Sequence, residues 1–379
     1  MPSWAIIVGI NRYPPLAQQP RLQGAVADAC DFADWALDPQ GGNVAPDRMF
    51  LWTYPWPTQA SNRLQSFLAA PQPLWDNEAT DWAAPRKTRP PRAMEIVQTA
   101  QRVGRTAFEA AFVAGDDEPR RIYVFLAGHG LRAKEIGNNS EQTCFVAGDF
   151  RPLSSNNVQG LVACESLRKA LLTDRFNEAI VFLDCCRLKT SRLAMTAMAI
   201  TDYSNDPVGV SWGVGNAAQD GAVAYETIGA PVRGAFTKTL TEGLRTCRDD
   251  ATNELHVERL SKFVQDNIGS HTAAGQSPSF LYVPNPPGPV IVSGAVAPAQ
   301  VKPPSPGPAV RMANLPAGTQ VVLKDGNNIP VAGVGPLVAG AAPVVLPLLA
   351  DGLYSLEVVG QPDRIVIFKQ PRVDPVDVL

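Results

Sequence analysis

The sequence predicts an α/β fold: a mostly parallel sheet flanked by helices, followed by a small all-β sandwich. Three observations carry this. Short apolar runs of strand length recur over the first 285 residues, as strands buried on both faces require. Segments of helical period alternate with them. A Pro-dense stretch then gives way to strand-like runs with few helix signals.

The first strand is expected at 4–10, with a helix over 25–37 and a second strand at 49–53. Residues 55–91, rich in proline and holding Trp56, Trp75 and Trp82, read as a long loop with a short helix. Pro90-Pro91 opens a helix where missing N–H groups cost nothing, and Ile96, Ala100, Val103, Ala107 and Ala111 keep its period. Further strands are expected at 122–126, 179–183, 208–214 and 279–283, with helices at 165–172, 235–245 and 255–268. From 284 to 308, nine residues are proline, a composition that makes a semi-rigid extended linker. Strand-like runs at 320–323, 344–349, 354–359 and 364–368 then suggest the sandwich. The expected boundaries are 1–285, a linker at 286–308, and 309–379.

Composition narrows the function. A 45% hydrophobic content supplies a sizeable core, while a net charge of −3 with no basic stripe argues against nucleic acid as partner. Residues 4–10 are too few to span a membrane and lack a basic leader with a cleavage site. Six cysteines are too sparse for a disulfide framework, and none has zinc-site spacing with the three histidines. A reduced cytoplasmic setting is expected, with no membrane partner and no metal or organic cofactor.

Two strand ends carry chemistry. The run 122–126 leads into Ala127-Gly128-His129-Gly130, and 179–183 leads into Asp184-Cys185-Cys186-Arg187. Sites in open α/β sheets form beyond the carboxyl ends of strands. A thiol with an imidazole to take its proton is the requirement of a cysteine hydrolase. The N–H groups of Gly130 and Cys186 are expected to hold the developing oxyanion.

These residues resemble a known family. The opening Ala5-Ile6-Ile7-Val8-Gly9-Ile10-Asn11-Arg12-Tyr13, with Leu22-Gln23-Gly24 and Asp28-Ala29, is similar to the first strand and turn of caspase-like cysteine peptidases. Tyr123-Val124-Phe125-Leu126-Ala127-Gly128-His129-Gly130 resembles their histidine motif, and Val181-Phe182-Leu183-Asp184-Cys185-Cys186 their nucleophile motif. Gln219, Ala224-Tyr225-Glu226, Gly234-Ala235-Phe236-Thr237 and Gln276-Ser277-Pro278 resemble the small-subunit half. The resemblance implies His129 as base and Cys186 as nucleophile, with Cys185 packed behind as the alternative. Many microbial members follow the nucleophile with His-Ser-Gly; here Arg187-Leu188-Lys189 stands instead.

Caspases cut after Asp with two arginines and a glutamine in the pocket. The matching positions here hold Leu22, Glu226 and Asp184. Asp28, Asp184 and Glu226 would repel an acidic side chain and favour Arg or Lys, which is the metacaspase arrangement. Protein or peptide substrates with Arg or Lys before the cut are therefore expected. Some metacaspases bind calcium, for which Asp249-Asp250 is the candidate here. With no segment ahead of the first strand, restraint is expected from the insertion or the β-domain, with a small-molecule activator. The resemblance further implies a role in regulated cell death or antiviral defence. Self-cleavage is expected near 202–207. The competing readings are a caspase-fold pseudo-enzyme and a ligand-sensing scaffold.

Overall fold

The chain is described by a computed structural model covering residues 1–14, 21–70, 85–114, 118–135, 141–152, 157–173, 176–195, 208–227, 230–272, 275–283, 288–292, 309–312, 315–325, 329–331, 334–340, 344–346, 352–370 and 376–377. Part of the 55–91 insertion, most of the linker and the 202–207 stretch lie outside the described residues. Two units are present, Met1–Ala295 and Val296–Leu379.

In the first unit, β1 (Ser3–Ile10) is buried along its whole length. It is followed by α1 (Ala25–Ala36), β2 (Met49–Tyr54), α2 (Asn62–Ala69), α3 (Ala93–Ala114), β3 (Arg121–Ala127), β4 (Gly130–Glu135), β5 (Glu141–Pro152) and β6 (Asn157–Ala163). Then come α4 (Cys164–Leu172), β7 (Glu178–Asp184), β8 (Lys189–Met195), β9 (Ser211–Asn216), α5 (Ala235–Thr246), β10 (Leu255–His256), α6 (Val257–Asn267), β11 (Ser279–Val283) and β12 (Val290–Val292).

Six strands form the central sheet in the order β11-β9-β7-β3-β1-β2. Five run parallel, and β11 closes one edge antiparallel to β9. The two-residue period of a strand sorts side chains between two cores. Trp4, Ile6, Val8 and Ile10 face α3 and α4, while Ala5 and Ile7 face α1, α5 and α6. Each large side chain so buried contributes about 1.5–3 kcal/mol. The sheet grows from β1 in both directions, to β2 on one side and β3 on the other. A crevice therefore opens at the carboxyl ends beside β1.

Three differences from the sequence reading have local causes. Strands β4, β5, β6 and β8 close on one another as a small barrel that the apolar-run criterion passes over. In β4, buried Leu131 and Ala133 alternate with polar Arg132 and Lys134, so the run looks half polar. The fifth parallel strand begins at Ser211, three residues later than expected, and Val208 is fully exposed. Leu255 and His256 pair with β12 before α6 begins. That pairing also draws Val290–Val292, within the expected linker, into the first unit's core. Only three residues long and set among prolines, β12 has no readable period. The Ile291 carbonyl there accepts from Arg121 Nη1 (2.7 Å) and Tyr123 Oη (2.6 Å).

The second unit contains β13 (Ala309–Arg311), β14 (Gln320–Asp325), β15 (Leu337–Val338), β16 (Val344–Val345), β17 (Gly352–Val358), β18 (Gln361–Gln370) and β19 (Val376–Asp377). A three-stranded sheet, β16-β13-β19, and a four-stranded antiparallel sheet, β15-β14-β17-β18, share one apolar core that includes Val310, Leu323, Leu346 and Leu356.

Candidate active site

Strands β3 and β7 are neighbours, with Ala127 level with Asp184. Two residues past that level on each strand stand His129 and Cys186. The Gly128 N–H donates to the Asp184 carbonyl at 3.1 Å, so the two loops leave the sheet side by side. The 57-residue spacing visible in the sequence is thus the register offset of two paired strands.

Local contacts fix the histidine. Its backbone N–H donates to Tyr13 Oη at 2.9 Å, and its ring lies 4.8 Å from the Tyr13 ring. A side chain at Gly128 would strike the Tyr13 hydroxyl and come within 3.0 Å of the Phe145 ring. A Cβ at Gly130 would lie 2.5 Å from Cys185 Sγ and 2.7 Å from the Cys186 carbonyl oxygen. Both glycines therefore serve close approach between neighbouring segments.

Of the two cysteines, Cys185 is buried and Cys186 is partly exposed. The Ala224 N–H donates to Cys186 Sγ at 3.4 Å. Burial pushes the Cys185 thiol far up and raises Cys186 as well, the Ala224 N–H opposing the rise in Cys186. Burial lowers His129, against the raising effect of Glu226. Both shifts favour the uncharged forms, a thiol and a neutral imidazole. Arg187, which departs from the microbial pattern, anchors the cysteine loop. Its Nε donates to Thr143 Oγ1 (2.9 Å), its Nη1 to the Ala218 carbonyl and Ser279 Oγ (3.1 Å each), and it pairs with Asp220.

The cleft, about 40 Å³, is lined by Asp28, His129, Asp184, Cys186, Tyr225 and Glu226 among others. Five of the six residues singled out in the sequence meet there. Gly130 does not; it lies against Cys185 and the Cys186 carbonyl. Asp28 Oδ1 accepts from Arg233 Nε and its Oδ2 from the Gly234 N–H, both at 2.8 Å. Asp184 Oδ2 accepts from Thr237 Oγ1 (2.5 Å) and the Thr237 N–H (3.1 Å). Glu226 Oε1 accepts from the Gln23 and Gly24 N–H groups at 2.7 and 2.5 Å, so it also caps α1, whose N-cap glycine has no side chain to do so. Burial raises Asp184 to about 6 against the two Thr237 hydrogen bonds. Burial, then Asp184, raises Asp28, with Arg233 opposing.

Sequence reasoning passed over four of these groups as site residues. Tyr13 and Thr237 stood in the quoted motifs without a role. Ala224 acts through its backbone. Arg233 directly precedes the Gly234 motif, which is the one signal that could have flagged it. Asp249 makes a turn, with Oδ1 accepting from the Ala251 and Thr252 N–H groups and Oδ2 facing Arg259 at 3.2 Å. Among the described residues, no three His, Cys, Asp or Glu side chains gather to hold a metal, and no helix is long and apolar enough to cross a membrane.

The family model described as caspase domain matches residues 94–284, just over half of the chain. A probable protease from a Desulfuromonadales bacterium is 25% identical over 280 residues, which is 71% of this chain and 30% of that protein. The chain thus spans under a third of the length of this curated relative. A crystal structure of a Geobacter sulfurreducens protein aligns with a TM-score of 0.43 at 14% identity, over 78% of this chain and 97% of that one.

Proposed function

The chain belongs to the caspase-domain family, and from that premise we propose that it is a cysteine endopeptidase cutting after Arg or Lys. One observation carries this reading: His129 and Cys186 leave register-matched strand ends into a cleft floored by Asp28, Asp184 and Glu226. Arg233 offsets one of these three carboxylates, so the floor remains net negative and attracts a basic side chain.

Catalysis begins from the neutral pair. The substrate's basic side chain enters toward Asp184 and Glu226, bringing its carbonyl carbon to Cys186 Sγ. His129 takes the thiol proton as sulfur attacks. The oxyanion is held by the Cys186 N–H. The imidazolium protonates the leaving amine, leaving a thioester. His129 then deprotonates a water that attacks the thioester, and the acid and the thiol are released. A pseudo-enzyme scaffold requires neither His129 nor Cys186 in this arrangement.

The test is a peptide library varied at the residue before the cut, run with and without calcium and small-molecule candidate activators such as nucleotides. Arg and Lys peptides should be cleaved, Cys186→Ala should fall to background, and Cys185→Ala should keep most activity. An active Cys186→Ala with a dead Cys185→Ala would place the nucleophile wrongly. Faster turnover of Asp than of Arg peptides would overturn the acidic subsite.

A further inference from the structure

Arg233 lies outside the cleft lining yet is largely buried against it, with 13% of its side chain exposed. One arm holds Asp28 at 2.8 Å, and the other reaches Asp31, one turn further along α1. The second oxygen of Asp28 is taken by the Gly234 N–H. Asp28 and Asp184 crowd the same glycine: a Cβ on Gly234 would fall on Asp184 Oδ2 and lie 2.9 Å from Asp28 Oδ2. The two acids therefore have different neighbours. Asp28 is bound from behind by the chain itself, whereas Asp184 takes both Thr237 bonds on one oxygen, Oδ2.

We propose that Arg233 is a positioning residue for substrate selectivity: it offsets Asp28 from behind, fixes that carboxylate against Gly234, and leaves Asp184 as the carboxylate that meets the basic side chain. The proposal rests on the reading of a basic-residue subsite. Its physical ground is that two buried carboxylates this close compete for a proton, and a cation behind Asp28 opposes the rise that burial and Asp184 impose on it. The groups around Asp28 are Cys30 and Asp31 on α1, Asp184 at the end of β7, Arg233 on the preceding loop, and Thr237, uncharged, on α5. Glu226, His129 and Cys186 complete the cleft. Among these described residues Arg233 is the permanent cation. Without it, the acid pair shares a proton near neutrality, so Asp184, the carboxylate that meets the basic side chain, is itself part-neutralised. Raising the pH removes that proton and restores the subsite.

The experiment measures KM and kcat of full-length wild type, Arg233→Gln and Arg233→Lys on one Arg peptide from pH 6 to 8.5. Each value is taken as a ratio to wild type so that the titration of His129 cancels. Arg233→Gln should raise KM roughly tenfold at pH 6.5, with the gap closing by pH 8.5 and the loss falling on KM. Arg233→Lys should restore most of it. Asp31→Asn, at the exposed outer arm, should give a smaller rise with the same pH dependence, and decides the matter should Arg233→Gln unfold. A KM ratio that is flat with pH, or unchanged at pH 6.5, overturns the proposal. Wild type that shows no preference for Arg or Lys removes the subsite reading, and this inference with it, before any variant is made.

Discussion

Replacing Gly130 by alanine tests how tightly the two catalytic loops depend on one contact. The added Cβ would sit 2.5 Å from Cys185 Sγ, 2.7 Å from Cys185 Cβ and 2.7 Å from the Cys186 carbonyl oxygen. Ordinary contacts between such atoms are about 3.5–4 Å, so β4 and the cysteine loop must part by roughly 1 Å. Neither side yields easily. Cys185 is 1% exposed, and Arg132 N–H, just beyond Gly130, is bonded to the Leu188 carbonyl at 2.9 Å. Overpacking of this kind costs about 1–3 kcal/mol, and a shift of about 1 Å between reacting groups costs about 100-fold in rate. Gly130→Ala should therefore remain folded, with a modestly lower Tm, and lose about 100-fold in kcat/KM on an Arg peptide. Alkylation of Cys186 by iodoacetamide, read by mass spectrometry, should slow in parallel, because His129 no longer reaches the thiol. A kcat/KM within twofold of wild type would refute the dependence of the dyad on this contact.

Three further outcomes are expected. Tyr13→Phe strands the His129 backbone N–H, which should lower stability by about 1–3 kcal/mol and reduce kcat with little change in KM; equal losses in both would point to general unfolding. The rate should rise with pH through a midpoint below the ordinary imidazole value, because burial lowers His129 and its neutral form is the base. Glu226→Gln removes the opposing carboxylate and should move that midpoint lower still, whereas an upward move would contradict the assignment. Folded Asp184 binds its proton more tightly than the unfolded chain does, so its charge destabilises the fold above about pH 6. Asp184→Asn should then gain on the order of 2 kcal/mol in urea unfolding at pH 8, an advantage that fades by pH 4, while losing selectivity for Arg. Equal stability at pH 8 would show that the buried carboxylate carries no strain.

The parts of the fold most legible in the sequence are those where one chemical pattern covers a whole element. Continuous apolar runs announce β1, β3 and β7 because both faces of those strands are covered. Strand β4 escapes because Arg132 and Lys134 interrupt the pattern. His129 and Cys186 are legible because each sits in a contiguous motif at a strand end. The capping of α1 by Glu226 is not, since the cap comes from 202 residues downstream of Gly24. Arg233 is hidden for the same reason, with its partner Asp28 205 residues away. Charge in a sequence carries no distance.

Ile291 bears on the order in which this chain completes its fold. Arg121 and Tyr123 lie at the amino end of β3, buried beside Glu178, and both donate to a carbonyl 170 and 168 residues later. Synthesis runs from the N-terminus, so every residue of the cleft, and Arg233 behind it, exists before that acceptor does. Until then, the Tyr123 hydroxyl lacks its acceptor, at about 1–3 kcal/mol, and Arg121 is held by Glu178 and Tyr123 alone. A nascent chain thus carries its thiol and imidazole well before it carries the clasp that tightens the scaffold beneath them. Timing of this kind sets a delay between translation of His129 and Cys186 and completion of the sheet that carries them.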